Sequence, residues 1–148
     1  EHLSLLDSTG MKTREWYVCY FDRDVSQPHY RMLRHLKPGF RHVELARPIQ
    51  YGPAVSDVVW LLVLPALEML DLECCLNPAP PWVRVPGATI QKVTASRPVG
   101  SMRSWFEIGP PSCVEVAKAA LGINAFWVRT PWQLYQFINR RGGVINSR

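Results

Sequence analysis

Cys113 is the residue whose position in the sequence is best suited to chemistry. It stands in the stretch GPPSCVEVAKAALG (residues 109–122), behind two prolines and Ser112. Ser112 and Glu115 form the capping-box pattern S-x-x-E, which predicts a helix whose first position is Cys113. The free N–H groups at a helix start stabilise a thiolate and can also receive the oxyanion of a tetrahedral intermediate. The sequence therefore makes Cys113 a candidate nucleophile.

Two features weigh against this interpretation of Cys113. Glu115 adds a negative charge in the same helical turn, which disfavours a thiolate. Cysteine also packs as a small hydrophobic residue, so a cysteine that merely begins a core helix would look the same. A catalytic role therefore depends on whether the chain supplies a base.

His42 is the histidine best placed to serve as that base. The chain has four histidines: His2, His29, His35 and His42. The others fall in an N-terminal segment (1–14) that we expect to be loose, or on or beside a short amphipathic stretch. His42 lies in FRHVELA (40–46), whose alternation predicts a strand that would hold an imidazole rigidly, with Phe40, His42 and Glu44 on one face.

The acid that would orient the histidine is left open by the spacing. Glu44 shares a strand face with His42, but two residues along one strand is far for a direct hydrogen bond. Asp57 is a second candidate. Asp71 is a third, because it would lie on the following strand if residues 66–74 are extended.

The surrounding elements predict one globular domain over residues 1–148. Apolar residues make up 47% and charged residues 20% of the chain, as in globular proteins. We expect five strands, at residues 15–21, 40–46, 57–65, 66–74 and 88–96, the third of them fully buried. A short helix (29–36), a turn (48–53) and a proline-rich surface loop (77–87) complete the first two thirds.

Two helices are predicted in the last third. The first begins after Ser112 and stops at Gly122, and the second begins at the box Thr130-Pro131-Trp132-Gln133. The expected fold class is α+β, with a small antiparallel sheet packed against the cysteine-bearing helix and the C-terminal helix. Four aromatic residues flank the first helix and either wall a cleft or belong to the core: Trp105, Phe106, Trp127 and Trp132.

The composition of the chain indicates which classes of partner and which cellular compartment to expect. Seventeen basic and twelve acidic residues give a net charge of +5, but the basic residues form no stripe with interleaved aromatics, which disfavours nucleic acid. The four cysteines have neither disulfide nor zinc spacing, so we expect no metal or cofactor and a reducing compartment. The apolar run 58–70 is too short and too interrupted to span a membrane.

The order of these elements resembles a circularly permuted papain-like domain of the NlpC-type cysteine hydrolases. The resemblance rests on GFRHVELA, the apolar WLLVLP and PPSCVEVAKAALGI, within residues 37–138. In the permuted branch the histidine strand precedes the cysteine helix, which implies Cys113 as nucleophile and His42 as base. The first and last stretches, with TPWQLYQFI, also resemble small proteins of tailed bacteriophages and prophages.

One departure from the family pattern leaves two functions open. The strand after the histidine should carry a polar residue, but Leu64 stands where an acid is expected. One function is a thiol hydrolase that cleaves an amide or peptide bond, and for a phage protein the expected substrate is peptidoglycan. The other is a non-catalytic virion structural or tail-assembly protein that contacts neighbouring virion proteins. Either function predicts a location in the virion or the host cytoplasm. A nucleic-acid-binding module is a third and weaker hypothesis.

Overall fold

One mixed sheet forms the frame of the protein. The computed structural model describes residues 13–54, 56–65, 70–75, 80, 82, 85–96 and 112–145. The strands are β1 (Thr13–Phe21), β2 (His42–Gln50), β3 (Val58–Pro65), β4 (Leu70–Cys75), β5 (Thr89–Ser96) and β6 (Val144–Ile145), in the spatial order β4-β3-β2-β1-β5-β6. The first five pair antiparallel, as predicted, whereas the two-residue β6 pairs parallel to β5. The α+β class is confirmed, but the sheet is mixed.

Two helices cover one face of this sheet, and their ends follow the predicted capping chemistry. They are α1 (Cys113–Leu121) and α2 (Pro131–Arg140). The Ser112 hydroxyl accepts a hydrogen bond from the Glu115 amide, and Gly122 ends α1 with φ 70°. Thr130 and Gln133 form a reciprocal capping box at α2. These ends are local features, which is why the sequence predicts them well.

The core lies between the helices and alternate residues of the strands. On the sheet side it contains Trp16, Val18, Tyr20, Val43, Leu45, Val63, Val93 and Ala95. On the helix side it contains Val114, Val116, Ala117, Leu121, Leu134 and Ile138. Because side chains alternate along a strand, His42 and Glu44 project from the other face of the sheet.

That other face carries an aromatic cluster of its own. The rings of Tyr17 and Trp60 lie 5.6 Å apart, and Trp82 packs on both, with centroids 4.8 Å from Tyr17 and 5.1 Å from Trp60. β3 therefore has one face in the core and one against this cluster. Only Trp60, Val63 and Pro65 of β3 are buried, so the prediction of a fully buried strand is wrong.

Some predicted boundaries move. β2 continues through Pro48 to Gln50, so the turn predicted at 48–53 begins at residue 51. The helix predicted at 29–36 is a 3-10 helix, Pro28–His35. Of the strand predicted at 66–74, residues 66–69 lie outside the described part of the chain, and the remainder is observed as β4. Phe40 lies before β2 begins and packs against the core, not beside His42.

Other predictions fall partly or wholly outside the described residues. Residues 1–12 lie outside them, and residues 13 and 14 of the segment expected to be loose belong to β1. Trp105, Phe106 and most of the 77–87 loop also lie outside. Of the other two aromatic residues, Trp132 packs 4.8 Å from Phe40 between ring centroids, whereas Trp127 is exposed.

Candidate functional site

Cys113 occupies the first position of α1, as predicted, and is only partly exposed. Its side chain packs against the core cluster. Its sulfur accepts hydrogen bonds from the backbone N–H groups of Val43, Val114 and Cys113 itself. The helix start thus faces the sheet at β2, next to the residue that follows His42.

Burial decides the acidity of the thiol. Burial raises the pKa of Cys113 above its ordinary value, although the amide of Val43, the two helix-start amides and the charge of Arg23 all act to lower it. The stabilisation of a thiolate expected from a helix start is therefore present but is outweighed by the loss of water around the sulfur.

His42 begins β2 with its side chain on the face away from the helices. Its ring lies 5.1 Å from that of Phe21, its direct partner across β1. Arg23 Nη2 lies 2.9 Å from His42 Nε2, and Glu44 Oε1 lies 3.4 Å from the same nitrogen. The side chain is only 8% exposed, so these contacts form its main polar environment.

The contact with Arg23 fixes which ring nitrogen carries the proton. A guanidinium can only donate hydrogen bonds, so Nε2 accepts and the proton of the neutral ring is on Nδ1. Burial lowers the pKa of His42, the charge of Arg23 lowers it further, and Glu44 acts in the opposite direction. The imidazole is therefore held in its neutral form, with Nε2 engaged by Arg23.

The structure brings His42 and Glu44 together, whereas Cys113 packs against the core and receives the backbone amide of Val43. The hydrogen bonds and ion contacts of the His42 ring run to Arg23 and Glu44. Cys113 packs with the core that contains Val43, whose side chain points opposite to that of His42. Arg23 is the charged residue that acts on both groups.

The other two acids have different positions. Asp71 is on the edge strand β4 and pairs with Leu64 of β3. Because β3 lies between β4 and β2, roughly 10 Å of sheet separates the Asp71 backbone from β2. Asp57 closes the β2–β3 turn, where its Oδ2 accepts a hydrogen bond from the Ala54 amide at 2.9 Å. Among the acidic side chains that the structure describes, Glu44 is the one that contacts the histidine, and Arg23 Nη2 also lies 3.5 Å from Glu44 Oε1.

Sequence reasoning missed two basic residues that organise the structure. Arg23 lies in the polar turn after β1 and is 19 positions from His42, so no local pattern connects them. Lys118 is 1% exposed, although it is a lysine. Its position does carry a signal: it falls four residues after Val114 and three before Leu121, on the apolar side of α1.

The described residues add two findings about ligands and membranes. They contain no cluster of His, Cys, Asp and Glu side chains able to hold a metal ion. None of the helices found there has the length and apolar character needed to cross a membrane.

Comparison with known proteins gives no guide to the role of the site. No protein-family model, curated protein or solved structure matches this chain.

Proposed function

We propose that this chain is a non-catalytic protein-binding domain that serves as a structural or assembly component, of the virion type that its resemblance to tailed-phage proteins implies. The observation that carries the proposal is the hydrogen bond between Arg23 Nη2 and His42 Nε2, at 2.9 Å. A general base needs a free lone pair to accept the proton of the thiol. In this site the lone pair of Nε2 already accepts a hydrogen bond from Arg23, whose guanidinium stays protonated at neutral pH.

The electrostatics of the site support the same conclusion. A Cys–His nucleophile works as a thiolate beside an imidazolium, which requires a low pKa for the cysteine and a raised one for the histidine. Burial shifts the two groups in the opposite directions, raising the pKa of Cys113 and lowering that of His42. At neutral pH the pair is therefore a thiol and a neutral imidazole.

Thiol hydrolysis is the second candidate, and one observation favours it. The amides of Val43, Val114 and Cys113 act on the sulfur, and such a group of donors can hold the oxyanion of a tetrahedral intermediate. In this candidate the Cys113 sulfur attacks an amide carbonyl after Arg23 has moved away, and His42 takes the thiol proton and returns it to the amine that leaves as the C–N bond breaks. Water then hydrolyses the thioester and releases the thiol. A papain-like arrangement of the chain and a peptidoglycan substrate belong to this candidate.

The alkylation rate of Cys113 tests the two candidates against each other. The native protein is treated with iodoacetamide between pH 6 and 9, and the labelled peptides are quantified by mass spectrometry. We expect Cys113 to react more slowly than free cysteine at pH 7, and His42→Ala to change its rate by less than about threefold.

Arg23→Ala is the second variant, because it frees His42 Nε2 without removing the ring. Alkylation of the native protein that is faster than that of free cysteine at pH 7, and is lost in His42→Ala, would overturn the non-catalytic proposal. If Arg23→Ala alone makes Cys113 reactive, the pair is intact but blocked in the native protein, and the proposal stands.

A further inference from the structure

Two large aromatic side chains are exposed side by side in the connection between α1 and α2. Phe126 is 75% exposed and Trp127 is 56% exposed. Their ring centroids lie 5.2 Å apart, with the ring planes at 85°. Single exposed apolar residues are common on protein surfaces, whereas contiguous apolar patches mark interaction sites. We refer to residues 125–129 as the aromatic turn.

A buried ammonium group holds the aromatic turn in place. Lys118 Nζ donates to the carbonyl oxygens of Ala125 at 3.1 Å and Val128 at 2.9 Å. These carbonyls come immediately before and immediately after the exposed pair. The Val128 amide also donates to the Ala125 carbonyl at 3.2 Å, which closes the turn. A surface fixed in this way loses little conformational entropy when a partner binds.

The surface beside the aromatic turn is basic. The Arg141 guanidinium lies 3.8 Å from the centre of the Phe137 ring, and that ring lies 6.4 Å from Trp127. The sequence holds no acidic residue from position 116 to 148. Within the part of the chain that the structure describes, neither Arg129 nor Arg141 forms a salt bridge with a carboxylate.

We propose that the aromatic turn and the adjoining Phe137–Arg141 side of α2 bind an acidic segment of a partner protein that carries a large aromatic or aliphatic side chain. The proposal rests on the protein-binding role inferred above and names its surface and the chemistry of its partner. Trp and Arg are the residues that most often dominate the energy of protein interfaces, and here they lie together on a prearranged surface. An acidic partner complements Arg129 and Arg141, which form no salt bridge with the carboxylates that the structure describes.

The geometry disfavours two other occupants. In a symmetric dimer each copy would place Arg129 and Arg141 against the same basic surface of the other copy, so like charges would meet. Single-stranded nucleic acid is bound by stacking successive bases on aromatic faces. The rings of Phe126 and Trp127 are nearly perpendicular, so they form a corner for one side chain and not a continuous stacking surface.

Acidic copolymers test this surface directly. Binding of fluorescein-labelled poly(Glu,Tyr), poly-Glu and the oligonucleotide dT20 to the full chain is measured by fluorescence anisotropy. We expect poly(Glu,Tyr) to bind about 10-fold more tightly than poly-Glu, because only the former offers an apolar side chain to the corner. Trp127→Ala should weaken binding of poly(Glu,Tyr) by about 30-fold, and Arg141→Ala by about 10-fold.

Matched variants elsewhere on the surface separate a specific site from general attraction to a basic protein. Tyr51→Ala removes another aromatic residue, 66% exposed, and Arg31→Ala another exposed arginine; both should change binding by less than about twofold. Urea denaturation of each variant confirms that it folds.

Three results would overturn the proposal. The first is equal binding of poly(Glu,Tyr) and poly-Glu. The second is an equal effect of Trp127→Ala and Tyr51→Ala. The third is tighter binding of dT20, lost in Trp127→Ala, which would assign the surface to nucleic acid. If any of these results is found while Cys113 is alkylated slowly, the aromatic turn is not the binding surface, but the proposal that the domain is non-catalytic remains in place.

Discussion

Replacement of Lys118 by methionine should destabilise the protein strongly. Lys118 Nζ donates to two carbonyl oxygens and lies 2.7 Å from Glu115 Oε1, with the lysine side chain 1% exposed. Methionine keeps most of the apolar contacts of the stem but leaves both carbonyls without their charged donor. A hydrogen bond to a charged group contributes about 1.5–3 kcal/mol. Glu115 is 30% exposed and can regain water, so the two carbonyls account for most of the loss.

We therefore expect Lys118→Met to lower the free energy of unfolding by about 3 kcal/mol, which for a domain of this size corresponds to a fall in Tm of about 10 °C. Urea denaturation followed by tryptophan fluorescence measures the first quantity, and calorimetry the second. Glu115→Gln keeps the carbonyl bonds and should cost about 1 kcal/mol or less, because the carboxylate is partly solvated.

Lys92→Met is the matched control, because Lys92 forms a comparable contact with Glu15, at 2.8 Å, but is 59% exposed. It should leave the denaturation midpoint nearly unchanged. A loss below about 1 kcal/mol in Lys118→Met, or a loss as large in Glu115→Gln, would refute the reasoning that the buried ammonium stabilises the fold through the carbonyls of the aromatic turn.

Three further predictions concern other parts of the molecule. Because the pKa of His42 is lowered in the folded protein, its contribution to stability is present above its unfolded value of about 6.5 and is lost as the pH falls below it; urea denaturation at pH 7 and pH 5 should therefore show a smaller loss for His42→Gln than for the parent protein. A Cβ at Gly143 would lie 2.9 Å from the Lys92 carbonyl oxygen, whereas at Gly142, also at positive φ, nothing lies within 4 Å; Gly143→Ala should cost about 1–2 kcal/mol more than Gly142→Ala in the same assay. Burial and the charge of Glu44 raise the pKa of Cys19 to about 12, so iodoacetamide should label it at pH 8 only after unfolding, and labelling of the native protein as fast as that of free cysteine would contradict this.

The helix ends could be predicted because their determinants lie within a few residues. Ser112, Gly122, Thr130 and Gln133 each bond to groups three or four positions away, and the structure shows the expected contacts. The alternation in FRHVELA likewise placed His42 opposite Val43 correctly. These features depend on the local backbone and require no knowledge of the rest of the fold.

The environment of the candidate site could not be predicted in the same way. It depends on which face of β2 the helices cover and on the conformation of the residues after β1. Covering the Val43 face packs Cys113 against the core, whereas the His42 side chain projects from the opposite face of β2. The turn after β1 brings Arg23 to the imidazole across 19 residues of sequence. Both features are tertiary contacts. The sequence around Cys113 and His42 would be the same whether or not these contacts formed, so it does not predict them.

The error at Pro48 has a similar origin. Pro48 and Pro53 suggested one turn, but Gln50 Nε2 donates to the carbonyls of Gly52 and Ala54, at 2.8 and 2.6 Å. Together with Asp57, this side chain supplies the polar contacts of a turn that begins only after β2. Pro48 lies inside the strand, opposite Trp60, where the sequence alone gives no indication that the pairing continues.

The way the chain uses its basic residues connects the two proposals. Arg23 bonds to His42 and lies near Glu44, and Lys118 bonds to the aromatic turn and pairs with Glu115. A catalytic site would need Arg23 to leave its partners, whereas a binding surface needs Lys118 to stay with its own. Arg141, by contrast, is exposed on an aromatic ring, in a segment without acidic residues. The internal contacts thus restrain the candidate nucleophilic pair and hold the aromatic turn in place, which is the distribution expected of a domain that functions by binding an acidic partner.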